Sequence, residues 1–115
     1  YLLLGQKLVE NPRKYAEGWN FGPNLDSIVT VWEIAEKVVK YYGEGELKDI
    51  SNPNELHEVK LLDIDIAKAR FELGWKPTLN IDETIEMTVE WYRGYMNKDV
   101  YELCVGQIKK FIDLR

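Results

Sequence analysis

The segment His57-Glu58-Val59-Lys60-Leu61-Leu62-Asp63-Ile64-Asp65-Ile66-Ala67-Lys68-Ala69, followed by Leu73-Gly74-Trp75-Lys76-Pro77 and Asn80-Ile81-Asp82-Glu83, decides the fold that the sequence implies. Val59 to Ile64 reads as a strand with Leu61, Leu62 and Ile64 as apolar contacts. Asp65 stands where a carboxylate caps a short helix through Ala67, Ala69 and Leu73, and Gly74 ends that helix. Pro77 keeps the next stretch extended. Asn80 and Glu83 then have the spacing of a capping box, in which each side chain satisfies an orphan backbone N–H of a new helix. That helix carries Ile81, Ile85, Thr88, Val89, Tyr92 and Met96 on one face. Met87, Trp91 and Tyr95 form a second stripe, so it is expected to lie between two partners.

Outward from this stretch the same signals repeat. Leu3, Leu4 and Leu8 have helical spacing, and Asn11-Pro12 stops that helix because proline disfavours helical backbone in the residue before it. Trp19-Asn20-Phe21 reads as a short strand halted by Gly22-Pro23-Asn24. Thr30 and Glu33 form another capping box, opening a helix with the stripe Val31, Ile34, Ala35, Val38, Val39 and Tyr42, closed by Gly43-Glu44-Gly45. A short strand is expected at Leu47 to Ile50. Asn97-Lys98-Asp99 breaks the long helix, and a last helix carries Val105, Ile108, Phe111 and Ile112. Cys104 is read as lying near the start of that helix, with a weak cap and a frayed end. The expected class is helix-rich α/β with two or three short strands, too few for a doubly wound sheet.

The chain has 115 residues, enough for one domain, and 45% of them are hydrophobic, too many for a disordered tail. Fifteen basic and twenty acidic residues give a net charge of −5, which argues against holding nucleic acid by phosphate neutralisation. Cys104 is the only cysteine, so an internal disulfide and a cysteine-based zinc site are excluded, and a reducing cytoplasm suits the composition. No apolar run approaches the roughly 18 residues of a membrane helix. The opening on Tyr1, inside a helix already under way, reads as a cut from a longer protein.

The order of elements resembles the C-terminal half of extended short-chain dehydrogenase/reductases that act on sugar nucleotides. Five stretches carry the resemblance: Tyr1 to Leu8, Trp19-Asn20-Phe21-Gly22-Pro23, Val29-Thr30-Val31, Asp65-x-x-Lys68-Ala69 with Leu73-Gly74-Trp75-Lys76-Pro77, and Thr88-Val89-Glu90-Trp91-Tyr92. Within the family, His57-Glu58 and the last helix through Gln107 and Phe111 resemble the branch of CDP-glucose 4,6-dehydratases. Ala67 departs from the signature's usual serine, Cys104 and Gly106 stand where threonine and glutamate are usual, and Glu55-Leu56 replaces a proline-containing pair.

The resemblance implies a helix-rich substrate-binding portion, residues 1–115, of an NAD(P)-binding Rossmann-like enzyme whose NAD-binding domain is absent from the chain. The whole enzyme would oxidise a CDP-sugar with NAD, eliminate water and return the hydride, giving a CDP-4-keto-6-deoxyglucose. The sequence lacks the means: it has no Gly-x-Gly-x-x-Gly, its only Gly-x-Gly is Gly43-Glu44-Gly45, and no tyrosine is followed four residues later by lysine. No catalytic, cofactor-binding or metal-ligating residue is therefore assigned, and NAD is expected only in the parent enzyme. The resemblance implies contacts to the CDP-sugar from Tyr1, His57, Glu58 and Asn20. Aromatic and donor groups suit a base, a ribose and a diphosphate, but each of these residues also has a structural reading: a histidine bonded to Glu58, a turn-stabilising asparagine, a terminal tyrosine. Trp75, Trp91 and Lys68 read as structural, and Asp65 as a cap. The alternatives are a piece of another nucleotide-sugar dehydratase or epimerase, or a non-catalytic α/β interaction module. Exposed apolar surface at Leu2-Leu3-Leu4 and at Met87, Trp91 and Tyr95 is expected to pack on a partner or to drive homo-oligomerisation, with no nucleic acid and no membrane involved.

Overall fold

The structure, a computed structural model, describes residues 1–50, 52 and 64–114. Six α-helices are present among them: α1 (Leu2–Glu10), α2 (Pro12–Tyr15), α3 (Val31–Tyr42), α4 (Ala67–Leu73), α5 (Ile81–Gly94) and α6 (Val100–Asp113), with one 3₁₀ turn at Leu25–Ser27.

Local chemistry explains the helix ends. Asn11 leaves the helical region with φ −152° and ψ 84°, ending α1, and its side chain accepts from the Lys14 N–H at 3.2 Å. The Asn11-Pro12 pair thus also opens α2, with proline at the first helical position. Both capping boxes form. Thr30 Oγ1 accepts from the Glu33 N–H at 3.2 Å and Glu33 returns a bond to the Thr30 N–H at 2.7 Å; Asn80 and Glu83 do the same at 2.9 and 2.8 Å. Gly43 (φ 90°) and Gly74 (φ 66°) end α3 and α4 in the left-handed region, where a side chain would be strained. Asp65 accepts from the Ala67 N–H at 2.7 Å. α6 starts earlier than its sequence indicates. Asp99 accepts from the Glu102 N–H at 3.0 Å, so Cys104 lies inside a capped helix rather than at a frayed start.

The α/β class and the Rossmann-like fold of the short-chain dehydrogenase/reductases are corrected by the structure. Among the described residues the regular elements are all helical and no strand is present. Residues 19–21 and 47–50 are irregular, and the strand expected at 59–64 lies outside the described residues except for Ile64, which is irregular. A strand needs a neighbour to receive its backbone ladder, and among the described residues Trp19-Asn20-Phe21 has none. Trp19 Nε1 donates to the Tyr15 carbonyl at 3.0 Å, Asn20 Nδ2 to the Asp65 carbonyl at 3.3 Å, and Phe21 sits edge-on to Trp75 at 5.0 Å. The apolar run is real, but it fills a helical core.

Every extensively packed helix pair falls within one of two groups: α1 with α2 and α4, and α5 with α3 and α6. The first closes over Tyr15, Ala69 and Leu73, with Leu8, Trp19 and Phe21 among the residues against them. The second buries Ile85 and Val89 of α5 and Leu103 of α6. Gly94 allows the α6 approach, since a Cβ there would come within 2.9 Å of Leu103 Cδ2. α3 is tied to α5 by a polar contact and leaves its apolar stripe partly open: Ala35 and Val39 are half-buried, Val31 is 84% exposed, Ile34 and Val38 are 38% and Tyr42 is 39%. The accessible surface is 9630 Å², against roughly 6,500 Å² for a compact monomer of this mass. The radius of gyration is 17.8 Å, against about 13 Å for a compact chain of this length.

Replacing Thr30 or Asp99 by alanine is expected to cost about 1 kcal/mol each in urea unfolding, whereas Cys104→Ser changes stability by less than about 0.5 kcal/mol. A larger loss for Cys104→Ser than for Asp99→Ala would contradict the capped start of α6.

Candidate functional site

Between the two helical groups lies an open cleft of about 780 Å³. Tyr1 and Leu3, at the start of α1, line it together with Trp75, Pro77 and Leu79 of the α4–α5 connection and Ile81 of α5. The α4–α5 connection shapes it. Gly74 turns the chain, the Trp75 N–H reaches back to the Ala69 carbonyl at 3.1 Å, and Pro77 keeps the strap extended until Asn80 opens α5. Phe21 braces Trp75 from behind and meets the Tyr1 ring edge-on at 5.6 Å.

The polar groups around the cleft are mostly committed to the fold. Asn80 is held in its capping box, the Thr84 hydroxyl donates to the Asn80 carbonyl at 2.8 Å, and the Ser27 hydroxyl donates to Asp26 at 3.2 Å. Among the described residues Lys76 is the only charged side chain in the lining. A site for a diphosphate wants several converging donors; this cleft offers aromatic and aliphatic walls with few free polar groups, which suits an apolar surface.

On the far side of α5 a second cluster joins α3 to α5. Lys37 Nζ donates to both Asp82 oxygens at 2.7 and 2.9 Å, and the Tyr41 hydroxyl donates to Asp82 at 3.2 Å. The lysine hydrogen bond holds the Asp82 carboxyl below the ordinary aspartate range, and Asp82 in turn raises Lys37. Desolvation, then the bond to Asp82, pushes the Tyr41 phenol up, so it stays protonated. This is a structural clasp, not a poised acid or base. Its members are 45 and 41 residues apart, and nothing in the local sequence announces them.

Two of the four expected site residues, Tyr1 and Asn20, are among the described residues. Tyr1 borders the cleft and is 93% exposed, while the Asn20 amide is engaged by the Asp65 carbonyl. His57 and Glu58 lie outside the described residues. Lys68 is structural: it pairs with Glu17 at 2.5 Å and lies 4.5 Å from the Trp19 ring centre. Gly43 and Gly45 do not form a phosphate loop for NAD, because they follow the C-terminal end of α3, where carbonyls rather than N–H groups project. Among the described residues no group of three or more His, Cys, Asp or Glu is placed to hold a metal ion, and no helix is long and apolar enough to cross a membrane.

No family model matches the chain. Over 104 residues, 90% of the chain, it is 32% identical to the CDP-glucose 4,6-dehydratase of Salmonella typhimurium, of which the match covers 29%. It is 26% identical to the dTDP-glucose 4,6-dehydratase of Haemophilus influenzae over 97 residues, 74% of this chain and 28% of that protein. The chain thus spans under a third of the length of these relatives. The likeness associates the chain with nucleotide-sugar 4,6-dehydratases at the level of sequence. It does not carry the fold with it. The described residues contain no strand, and so no sheet of the kind a Rossmann-like substrate unit is built on. The identification as an extended short-chain dehydrogenase/reductase, the CDP-glucose dehydratase assignment and the alternative of an α/β module are corrected accordingly.

The clasp sets a pH dependence. Asp82 titrates below its ordinary 3.8 in the folded chain, so its contribution is complete above that value and is lost as pH falls through the lower, folded one. Lys37 titrates above 10.5, and its contribution is lost as pH rises through that raised value. Thermal unfolding is expected to show a plateau between these limits and a decline on either side. Asp82→Asn should lower the plateau and flatten the acid decline without abolishing it, since Glu10, Glu17 and Glu33 are also held low by their hydrogen bonds. An acid limb identical in the variant would contradict the clasp.

Proposed function

We propose that this chain serves a larger nucleotide-sugar 4,6-dehydratase-type enzyme as a helical docking unit and turns over no substrate by itself. One observation carries the reading: the apolar cleft and the α3 stripe stay open, on a chain whose surface of 9630 Å² is about half as large again as compaction would leave. Sequence likeness over 90% of the chain, to under a third of a dehydratase, supports the enzymatic association. In this proposal residues 1–115 are one unit of the enzyme, and NAD and the reacting groups belong to the part outside it. The cleft receives an apolar surface of that part. A cytoplasmic setting, and self-association through apolar surface outside the cleft, belong to the same proposal.

The test is Val31→Glu. In the isolated chain it should alter stability by no more than about 0.5 kcal/mol, because the position is solvent-exposed. Joined to the rest of such an enzyme, the same substitution should abolish assembly or dehydratase activity, because it buries a charge. Equal activity of the joined variant, or production of a 4-keto sugar by the isolated chain with NAD, would overturn the proposal.

A further inference from the structure

α6 has two faces with different fates. The inner face holds Leu103, which is buried, Gln107, which donates to the Met87 carbonyl at 2.7 Å, and Lys110, which pairs with Glu90 at 3.6 Å. The outer face carries Tyr101, Val105, Ile108 and Ile112, spaced by four, three and four residues, the spacing of a helix–helix seam. Tyr101, Ile108 and Ile112 are 73%, 58% and 60% exposed. Gly106 has open space beyond it. Beside this seam, seven residues apart on one edge, stand Glu102 and Lys109, and neither makes an ion pair among the described residues.

We propose that the outer face of α6 pairs antiparallel with α6 of a second copy of this chain. The inference rests on the self-association in the reading above and names its surface. Charge complementarity selects the occupant. With the two-fold axis between Val105 and Ile108, Tyr101 lies beside Ile112 of the second copy and Val105 beside Ile108. Glu102 of each copy then falls beside Lys109 of the other, so both bare charges are paired twice over. A parallel pair would set like residues level with one another.

Sedimentation equilibrium of the 115-residue chain tests this. The chain should form a reversible dimer at micromolar concentration. Ile108→Glu should weaken it by about a hundredfold or more, since a carboxylate would enter the seam. Glu102→Lys and Lys109→Glu should each weaken it roughly tenfold by placing like charges together. The two single variants mixed with each other, or both substitutions in one chain, should restore it, with helical content by circular dichroism unchanged throughout. Failure of the double variant to recover would overturn the proposal. A dimer that survives Ile108→Glu would overturn it while leaving self-association through another surface. A chain that stays monomeric would overturn both.

Discussion

An amphipathic helix is stable only where its apolar stripe has something to lie on, and this chain has more stripe than cover. α3 shows the constraint most plainly. It is held to α5 by the Lys37–Asp82–Tyr41 clasp on its polar edge, and the Val31–Ile34–Val38–Tyr42 stripe remains partly open. The clasp fixes position without supplying a core. α5 has α3 and α6 as partners, and the small buried set of Ile85, Val89 and Leu103 forms around it. The group of α1, α2 and α4 has its own small core, reached from α5 by the Trp75-to-Asn80 strap.

The cleft follows from that division. Two helical groups joined by an extended strap leave a trough between them, and its walls are the apolar residues that neither group buries. Because the nearby polar groups cap α5 or bond within their own turns, the trough has little left with which to hold a charged ligand. Its chemistry favours a protein surface. This is why the likeness to sugar-nucleotide dehydratases enters as an association with a larger enzyme, and why the α6 seam, whose residues do not line the cleft, is a separate question.

What the sequence discloses is whatever is settled within a few residues. Thr30 with Glu33, Asn80 with Glu83, and Gly43 and Gly74 were legible as helix ends because a cap is a contact between near neighbours. The same kind of signal was available at Asp99, three residues before Glu102, although Cys104 drew the helix start too late. Strand formation is not local: Trp19-Asn20-Phe21 has the composition of a strand but pairs with no strand among the described residues, and its rings pack against a core of helical residues. Lys37 with Asp82, Lys68 with Glu17 and Gln107 with the Met87 carbonyl were not legible either, since each joins residues at least 20 positions apart. Of the candidate site, Tyr1 was placed at a pocket edge, while the pocket itself is assembled from four helices and a strap that no single motif describes.

Native-state hydrogen exchange by residue tests the central claim most directly, because it reports which helices are protected by a closed core. In the isolated, monomeric chain, slow exchange should be confined to α5 around Ile85 to Val89 and to α4 around Ala69, with α3 exchanging through local opening far faster. Protection of α3 equal to that of α5 would mean that the chain closes a core of its own, and the account of an open helical layer awaiting a partner would be wrong.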